Sequence, residues 1–194
     1  MSDATREKWD RIYNERSAEY GHPVHVVEEN LHLLPSSGKG LELACGLANN
    51  SFAIAARGIE MAAWDISAVA AERVNQRATE TGAQVTACAR DIVTEPPTAA
   101  EYDVVVVSHF LDRSLAPAII TALIPGGLLF YQTFTQTRVV ESGPKNSDWR
   151  LADGELLTLF AALKPLVYRE EGLTGDTSKG LRNEALLVAQ KPDS

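Results

Sequence analysis

The amino-acid sequence predicts an α/β fold built on a doubly wound, mostly parallel sheet with helices on both faces. Short apolar runs rich in valine, isoleucine and leucine alternate along the chain with stretches that have helical spacing. Strands that alternate with helices indicate β-α-β units, whose connecting helices cover the faces of a parallel sheet. Near the carboxyl end two apolar runs follow each other without a helix, which predicts an antiparallel hairpin at the edge of the sheet.

The central part of the chain contains five predicted buried strands, at residues 39–44, 61–64, 84–88, 102–107 and 128–133. The helices predicted between them lie at residues 51–57, 67–79 and 114–123. Ser67 is a suitable N-cap for the second of these helices, because its hydroxyl can accept a hydrogen bond from the first helical turn.

The two ends of the chain depart from this alternation. Residues 3–34 predict two helices, of which the second, at residues 25–34, is amphipathic and ends at Pro35. After the fifth strand come a helix at residues 153–163 and the two hairpin strands at residues 166–171 and 184–190.

We therefore expect a single domain over residues 1–194, with a helical cover at residues 1–37 and an α/β core at residues 38–194. The loop at residues 135–153 is rich in glycine, proline, serine and asparagine. Its place after the fifth strand predicts a lid over a site at the carboxyl edge of the sheet.

The composition argues against several classes of partner. Lysine and arginine number 18 against 26 aspartate and glutamate residues, a formal net charge of −8 without a basic cluster, which disfavours nucleic acid. The longest apolar run, residues 104–107, is far shorter than the ~20 residues that span a bilayer. Cys45 and Cys88 are expected to stay reduced, although their separation in space is open. We expect a cytoplasmic monomer or homodimer that binds neither membrane nor nucleic acid.

The turn after the first strand, residues 42–50, is rich in small residues that let a ligand approach the backbone. Ligands of open parallel sheets bind beyond the carboxyl ends of the strands, near this turn. Glu42 begins the turn, and Asp65 and Asp91 end the second and third strands. Asp65 is placed to bind the hydroxyls of an adenosine ribose, and Asp91 to accept a hydrogen bond from an adenine amino group.

The choice of nucleoside follows from charge. A dinucleotide site needs glycines at spacing G-x-G-x-x-G to hold pyrophosphate at a helix N-terminus, whereas Ala48 and Ser51 stand in this frame. Glu42 would also lie close to the phosphates. S-adenosylmethionine has no phosphate and carries a sulfonium and an ammonium group, which nearby carboxylates suit. These residues favour S-adenosylmethionine as the cofactor.

Three segments resemble the class I S-adenosylmethionine-dependent methyltransferases: the first turn with residues 63–65, the pair at 91–92, and Leu-Ile-Pro-Gly-Gly at 123–127. More narrowly, LELACGLANNSFAIAARGIEMAAWDIS resembles the tellurite-resistance methyltransferase group, and the similarity runs from Leu41 to Lys191. The resemblance implies a Rossmann-like sheet of seven strands, the last antiparallel, with a helical N-terminus closing over the donor. In this chain Ala44 and Ala48 replace the outer glycines of the family turn, and Asn49 replaces an arginine.

The candidate cofactor-binding residues come from the first turn, the strand ends and the N-terminal helix. They are Trp9, Tyr13, Glu42, Ala44, Cys45, Gly46, Asn50, Asp65, Ile66, Asp91, Ile92 and Ser108. His109, after the fourth strand, is the candidate base or substrate-orienting residue, with a packed structural histidine as the alternative. Arg182 matches an arginine of the tellurite-resistance group and would by that resemblance attract an anionic acceptor; a solvated edge-strand arginine is the alternative.

Two other features have simpler explanations. His22 and His25 lack a third ligand at a suitable spacing, so no metal site is predicted. Asp112 and Arg113 begin a helix and are interpreted as caps.

The predicted function is methyl transfer to a small soluble acceptor, such as a thiol, a selenium or tellurium species, or a natural product. A non-catalytic S-adenosylmethionine-binding protein and an NAD-dependent oxidoreductase are the alternatives.

Overall fold

Seven strands form one sheet in the computed structural model, which describes residues 3–15, 21–98 and 100–193. Residues 1–2, 16–20, 99 and 194 of the predicted domain and its N-terminal cover lie outside the described residues. The strands are β1 Gly38–Leu43, β2 Ile59–Asp65, β3 Val85–Ala89, β4 Tyr102–Ser108, β5 Leu123–Phe134, β6 Lys164–Glu170 and β7 Glu184–Gln190. Their order is β3-β2-β1-β4-β5-β7-β6, with β7 antiparallel to both of its neighbours. The predicted fold class is confirmed.

Six helices lie around the sheet within the described residues. They are α1 Asp3–Glu15, α2 His25–Glu28, α3 Asn49–Ala55, α4 Ala68–Thr81, α5 Ala116–Ala122 and α6 Glu155–Leu159. On one face α2, α3 and α4 pack on side chains such as Val104 and Val106, and on the other α5 and α6 pack on Val105 and Val107. These four valines of β4 are at most 1% exposed, because a strand alternates its side chains between two covered faces.

The strand order reverses between β1 and β4, and this reversal positions the site. Connections leave β1 and β4 toward opposite faces of the sheet, so a crevice opens between the carboxyl ends of the two strands. The first turn follows β1, and His109 follows β4, so both lie at this crevice.

Several predicted element bounds were wrong for local reasons. The predicted second helix, residues 25–34, is divided into α2 and a 3₁₀ turn at Leu31–Leu33. The buried Asn30 lies between them, and its Nδ2 donates to the Val26 carbonyl at 3.0 Å, so a side-chain bond competes with helix continuation. The predicted helix at residues 153–163 is shorter, since α6 begins after Gly154 at φ +70°.

The predicted position of the hairpin and the predicted capping role of Arg113 also differ from the structure. The hairpin pairs as predicted, but β7 lies between β5 and β6, and only β6 is at the edge. Asp112 is an N-cap, since its carboxylate accepts from the Ser114 N–H at 3.0 Å. Arg113 is not a cap, because its guanidinium binds Glu155 (Nε to Oε1, 2.5 Å) and backbone carbonyls of the loop before α6.

The opposite edge strand, β3, is protected by a side chain. The Asn75 amide of α4 exchanges two hydrogen bonds with Ala87: Nδ2 donates to its carbonyl at 2.9 Å, and Oδ1 accepts from its N–H at 2.8 Å. The amide thus replaces one residue of a neighbouring strand, which limits pairing with another chain.

Replacing Asn75 with alanine should lower the free energy of unfolding by roughly 1 kcal/mol, because both hydrogen bonds of this pair are lost. Urea denaturation measures the change. Gln76→Ala is the matched control, since Gln76 lies next in α4 and its amide donates only to the exposed Glu80. Equal stability changes in the two variants would show that the amide contributes nothing to the edge.

Candidate active site

The turn between β1 and α3 has an unusual backbone. Ala44, Gly46 and Ala48 all have positive φ, at 52°, 54° and 55°. The turn is closed by hydrogen bonds from the Cys45 N–H to the Trp64 carbonyl at 3.0 Å and from the Ala48 N–H to the Cys45 carbonyl at 2.8 Å. Left-handed backbone costs alanine about 1–2 kcal/mol relative to the right-handed region, so surrounding contacts hold this turn in place.

A buried carboxylate lies under the turn. Glu42 is 1% exposed, and its Oε2 accepts from the Ser51 N–H at 2.9 Å and the Ser51 hydroxyl at 2.6 Å. Its Oε1 accepts from Asn50 Nδ2 at 2.8 Å. Burial raises the pKa of Glu42 to about 7, although the hydrogen bonds from Ser51 and Asn50 oppose the shift. Glu42 therefore supports the turn from below and does not border the cavity where it was predicted to bind the cofactor.

Asn50 joins this carboxylate to two other parts of the site. Its Nδ2 also lies 3.0 Å from the Ser108 hydroxyl at the end of β4, and its Oδ1 accepts from the Val24 N–H at 2.9 Å. One amide thus fixes the relative positions of the first turn, the end of β4 and the segment that precedes α2.

Asp65, at the end of β2, is oriented by the backbone. Its Oδ2 accepts from the Gly46 N–H at 2.8 Å and its Oδ1 from the Ser67 N–H at 2.9 Å. Burial raises the pKa of Asp65 more than these bonds lower it, and the charge of Asp10 adds to the rise. Each carboxylate oxygen has a second lone pair, so Asp65 retains the capacity to accept hydrogen bonds from a ligand.

The first cavity, of about 420 Å³, lies above the turn between β1 and β4. Most predicted cofactor-binding residues border it, namely Trp9, Tyr13, Ala44, Cys45, Gly46, Asn50, Asp65, Ile66, Ile92 and Ser108, together with His109. Residues that the sequence reasoning missed also border it: Gly21, His22, Val24, Leu47, Asn49, Arg90 and Phe110. Asp91 does not; its Oδ1 accepts from the Val93 N–H at 3.1 Å beside the cavity.

Helix α1 covers this cavity. Trp9 and Tyr13 stack with ring centroids 5.8 Å apart, as their i, i+4 spacing predicts. Asp10 Oδ1 accepts from the Ser67 hydroxyl at 2.5 Å, which anchors α1 to the start of α4. A Cβ at Gly46 would lie 2.7 Å from the Tyr13 hydroxyl, so only glycine allows this approach.

The second cavity, of about 620 Å³, adjoins the first and shares Val24 and His109 with it. Its lining comes from the segment before α2, β5, β7 and two loops: Pro23, Val24, His25, His109, Gln132, Val139, Val140, Thr177, Ser178, Gly180, Leu181, Arg182 and Glu184. His109 therefore lies at the junction of two cavities.

His109 is held by a chain of hydrogen bonds. Its Nε2 lies 3.2 Å from Glu184 Oε1, and its ring stacks on Phe134 with centroids 4.9 Å apart. Glu184 Oε2 accepts from Gln132 Nε2 at 2.6 Å, and Gln132 Oε1 accepts from the Val26 N–H at 2.7 Å. Burial disfavours the charge of Glu184, but the bonds from His109 and Gln132 outweigh it and lower the pKa of this carboxyl.

Sequence reasoning missed Glu184 and Gln132. The available signal was topological: an antiparallel β7 brings its amino end to the carboxyl edge of the sheet, where Glu184 pairs with Phe134 of β5. Gln132 is a polar residue in an otherwise apolar run, only 2% exposed.

Arg182 borders the second cavity, but its guanidinium is directed into the loop between β6 and β7. Nε donates to the Lys179 carbonyl at 2.6 Å, and Nη1 to those of Gly172 (2.8 Å) and Thr174 (3.0 Å). Nη2 donates to the Asp176 carbonyl at 3.0 Å and lies 3.4 Å from Glu171 Oε2. These contacts hold the guanidinium within the loop, and a role of Arg182 toward an anionic acceptor stays a prediction.

The loop at residues 135–153, predicted as a lid, is anchored at several points. Arg150, 2% exposed, donates to the carbonyls of Pro144 (2.7 Å), Thr135 (2.8 Å) and Ser142. Asn183 Oδ1 accepts from the Val139 N–H at 2.6 Å. The loop thus forms a fixed wall of the second cavity in this structure; whether it opens stays a prediction.

Within residues 3–15, 21–98 and 100–193, no group of three or more histidine, cysteine, aspartate or glutamate side chains is arranged to hold a metal ion. In the same ranges, no helix combines the length and apolar character needed to span a membrane.

Comparison with known proteins identifies the domain. Residues 41–127 of this chain match a methyltransferase domain, and these residues include the first turn, Asp65 and His109. No curated protein sequence matches it significantly. The predicted class of enzyme is confirmed, and the match fits a class I methyltransferase; the narrower resemblance to the tellurite-resistance group stays a prediction.

Solved structures show the same fold as this methyltransferase. One similar structure was solved for the conversion of a disulfide bond into a thioacetal group during echinomycin biosynthesis. Its protein is 18% identical in sequence, with a TM-score of 0.73, and the match covers 98% of this chain and 93% of that one. TehB from Haemophilus influenzae is 24% identical in sequence, with a TM-score of 0.68, and the match covers 96% of this chain and 66% of the TehB chain. Geranyl diphosphate C-methyltransferase from Streptomyces coelicolor A3(2), solved with S-adenosyl-L-homocysteine, is 13% identical in sequence, with a TM-score of 0.70. The match covers 98% of this chain and 100% of that one. The predicted cofactor agrees with this family.

The buried acid under the turn makes stability depend on pH. The folded protein retains the Glu42 proton up to about pH 7, whereas the unfolded chain releases it near its usual value of 4.5. The free energy of unfolding should therefore fall by about 3 kcal/mol as pH rises through this window. Glu42→Gln should flatten the slope in urea denaturation between pH 4.5 and 8, and exposed Glu60→Gln in β2 is the control. An unchanged slope in Glu42→Gln would contradict the assignment.

The positive φ of Ala44 predicts a stabilising substitution. Ala44→Gly should raise the free energy of unfolding by roughly 0.5–1 kcal/mol, since relief of left-handed strain exceeds the added entropy of the unfolded chain. Ala53→Gly, in the regular helix α3, should instead lower it by about 1 kcal/mol. Thermal and urea unfolding compare the two, and a loss of stability in both would disprove strain at Ala44.

Proposed function

We propose that this methyltransferase transfers the methyl group of S-adenosylmethionine to a small acceptor, with the donor in the first cavity and the acceptor in the second. The observation that carries the proposal is the junction of the two cavities at His109 and Val24, beyond the carboxyl ends of β1 and β4. Methyl transfer needs donor and acceptor in line and in contact, and two adjoining cavities supply that arrangement.

The residues of the first cavity fit the donor. Its volume lies within the range of roughly 300–1,000 Å³ that is usual for small-molecule sites. Asp65 has acceptor capacity for two ribose hydroxyls, and Ile66 and Ile92 offer apolar surface for the adenine ring. The first turn has Ala48 and Ser51 where a dinucleotide site needs glycines to hold pyrophosphate, which disfavours the oxidoreductase alternative.

The chain contributes position and exclusion of water to the reaction. When bound, S-adenosylmethionine supplies an electrophilic methyl group on a sulfonium. The cover formed by Trp9 and Tyr13 closes the donor side, and the two anchored loops enclose the acceptor side. His109, at the junction, is the candidate base or orienting residue for the acceptor.

The acceptor in this proposal is a small soluble molecule. The named relatives act on geranyl diphosphate or in echinomycin biosynthesis, which supports small substrates. A thiol, a selenium or tellurium species and a natural product all remain within the proposal. The net charge of −8 supports the absence of a nucleic-acid substrate, and the two free cysteines support a cytoplasmic location.

Calorimetric titration with S-adenosylmethionine and S-adenosylhomocysteine tests the donor assignment. We expect both to bind and NAD not to. Asp65→Ala should weaken binding roughly 10-fold or more, since a hydrogen bond to a charged group contributes about 1.5–3 kcal/mol. Asp103→Ala is the matched control, because that carboxylate also accepts a backbone N–H, from Lys39 at 2.8 Å, but at the opposite edge of the sheet.

Equal affinity of wild type and Asp65→Ala would refute the ribose assignment. Tight donor binding without methyl transfer to any acceptor of a broad panel would favour the non-catalytic alternative.

A further inference from the structure

The contact between His109 and Glu184 defines which nitrogen of the imidazole holds the proton. An ionised carboxylate only accepts hydrogen bonds, so Nε2 of His109 donates across the 3.2 Å contact to Glu184 Oε1. Nδ1 of the neutral ring then has the lone pair. The lowered pKa of Glu184 is consistent with this assignment.

The carboxylate of Glu184 is fixed by a second hydrogen bond, from Gln132. Gln132 Nε2 donates to its Oε2 at 2.6 Å, and the Val26 N–H donates to Gln132 Oε1 at 2.7 Å. With its backbone paired to Phe134 and its carboxylate bound on both oxygens, Glu184 has little freedom to rotate. Stacking on Phe134 fixes the plane of the imidazole. A carboxylate that orients a histidine in this way favours one tautomer and stabilises the imidazolium that forms.

The other charged groups near His109 are paired within the protein or lie across the first cavity. On the β7 side Arg182 uses its guanidinium donors within the loop. On α2 His25 Nδ1 lies 3.6 Å from Glu29 Oε1. Across the first cavity the lining includes His22, the carboxylate of Asp65 and Arg90, whose Nε donates to the Glu95 carbonyl at 2.8 Å and whose guanidinium lies over the Trp64 ring. The fixed charge nearest the imidazole is the carboxylate of Glu184, which repels an anion and attracts a proton.

We propose that Glu184 positions His109 as a general base and that the acceptor is a neutral thiol. This inference rests on the proposed function. In the step, the acceptor S–H bond breaks and its proton passes to His109 Nδ1, while the freed electron pair forms the bond to the methyl carbon. The carbon–sulfur bond of the donor breaks and its electron pair returns to sulfur, so the sulfonium becomes a neutral thioether. His109 ends as an imidazolium beside Glu184 and later releases the proton to water.

Nuclear magnetic resonance of ¹⁵N-histidine-labelled protein tests the positioning without any acceptor. When the ring is neutral, His109 should be present as the Nε2–H tautomer in the wild type and as a mixture of tautomers in Glu184→Gln. Glu101→Gln, an exposed residue before β4, should keep the wild-type spectrum. An Nδ1–H tautomer in the wild type, or an unchanged spectrum in Glu184→Gln, would overturn the inference.

Two probe thiols test the acceptor class with the full chain. Benzyl mercaptan is protonated at neutral pH and needs a base, whereas 4-nitrothiophenol is already ionised. Glu184→Gln should lower kcat/KM for methylation of benzyl mercaptan by at least about 10-fold and that of 4-nitrothiophenol by less than about 3-fold. His109→Gln should cause the same selective loss, and adding Glu184→Gln to it should cause no further loss, since the two residues act as one unit.

The outcomes separate this inference from the proposed function. Failure of S-adenosylmethionine to bind in calorimetry would remove the proposed function itself. Binding accompanied by equal losses on both thiols, by methylation of 4-nitrothiophenol alone, or by methylation of neither thiol would overturn the base and acceptor assignment and leave the donor site intact.

Discussion

The carboxylate of Glu42 lies inside the protein at the end of β1, bound by one amide and by two groups of Ser51. A buried carboxylate is tolerated only when hydrogen bonds replace the water it has lost, so the start of α3 must keep its place relative to β1. Asn50, which supplies the amide, also contacts Ser108 and the Val24 N–H. His109 and Val24 line both cavities. Their positions therefore depend on Asn50, which Glu42 holds in place.

The pKa values of three acidic residues at the site shift differently because the surroundings of the three residues differ. Glu42 meets only neutral donors in a buried place, and its pKa rises. Asp65 is also buried with backbone donors, and its pKa rises as well, yet it borders a cavity and retains acceptor capacity. Glu184 lies beside His109, and its pKa falls. Environment thus distinguishes a carboxyl group that supports the turn, one that borders the first cavity and one that contacts a histidine.

The parts of the molecule that the sequence predicted are those governed by local rules. Alternating apolar runs locate all seven strands, and the position of Asp65 at the end of β2 follows from its place after such a run. Glu42 was placed in the cofactor site because sequence does not reveal on which side of the turn a strand-end carboxylate lies. Glu184 was missed because its neighbours Gln132 and His109 are distant in sequence and meet it only through the antiparallel pairing of β5 with β7.

The two cavities also differ in how much of their lining could be predicted from the sequence. Strand ends and one tight turn form the first cavity, so its residues recur in a pattern that a sequence motif captures. Loops form much of the second, and two arginines determine their conformation: Arg150 binds carbonyls of the loop after β5, and Arg182 binds carbonyls of the loop before β7. Because each guanidinium satisfies several backbone groups at once, the loop sequences can change between these anchors without loss of the wall. Under the proposed function, acceptor preference can therefore change through the loops while the first cavity and the His109–Glu184 pair stay in place.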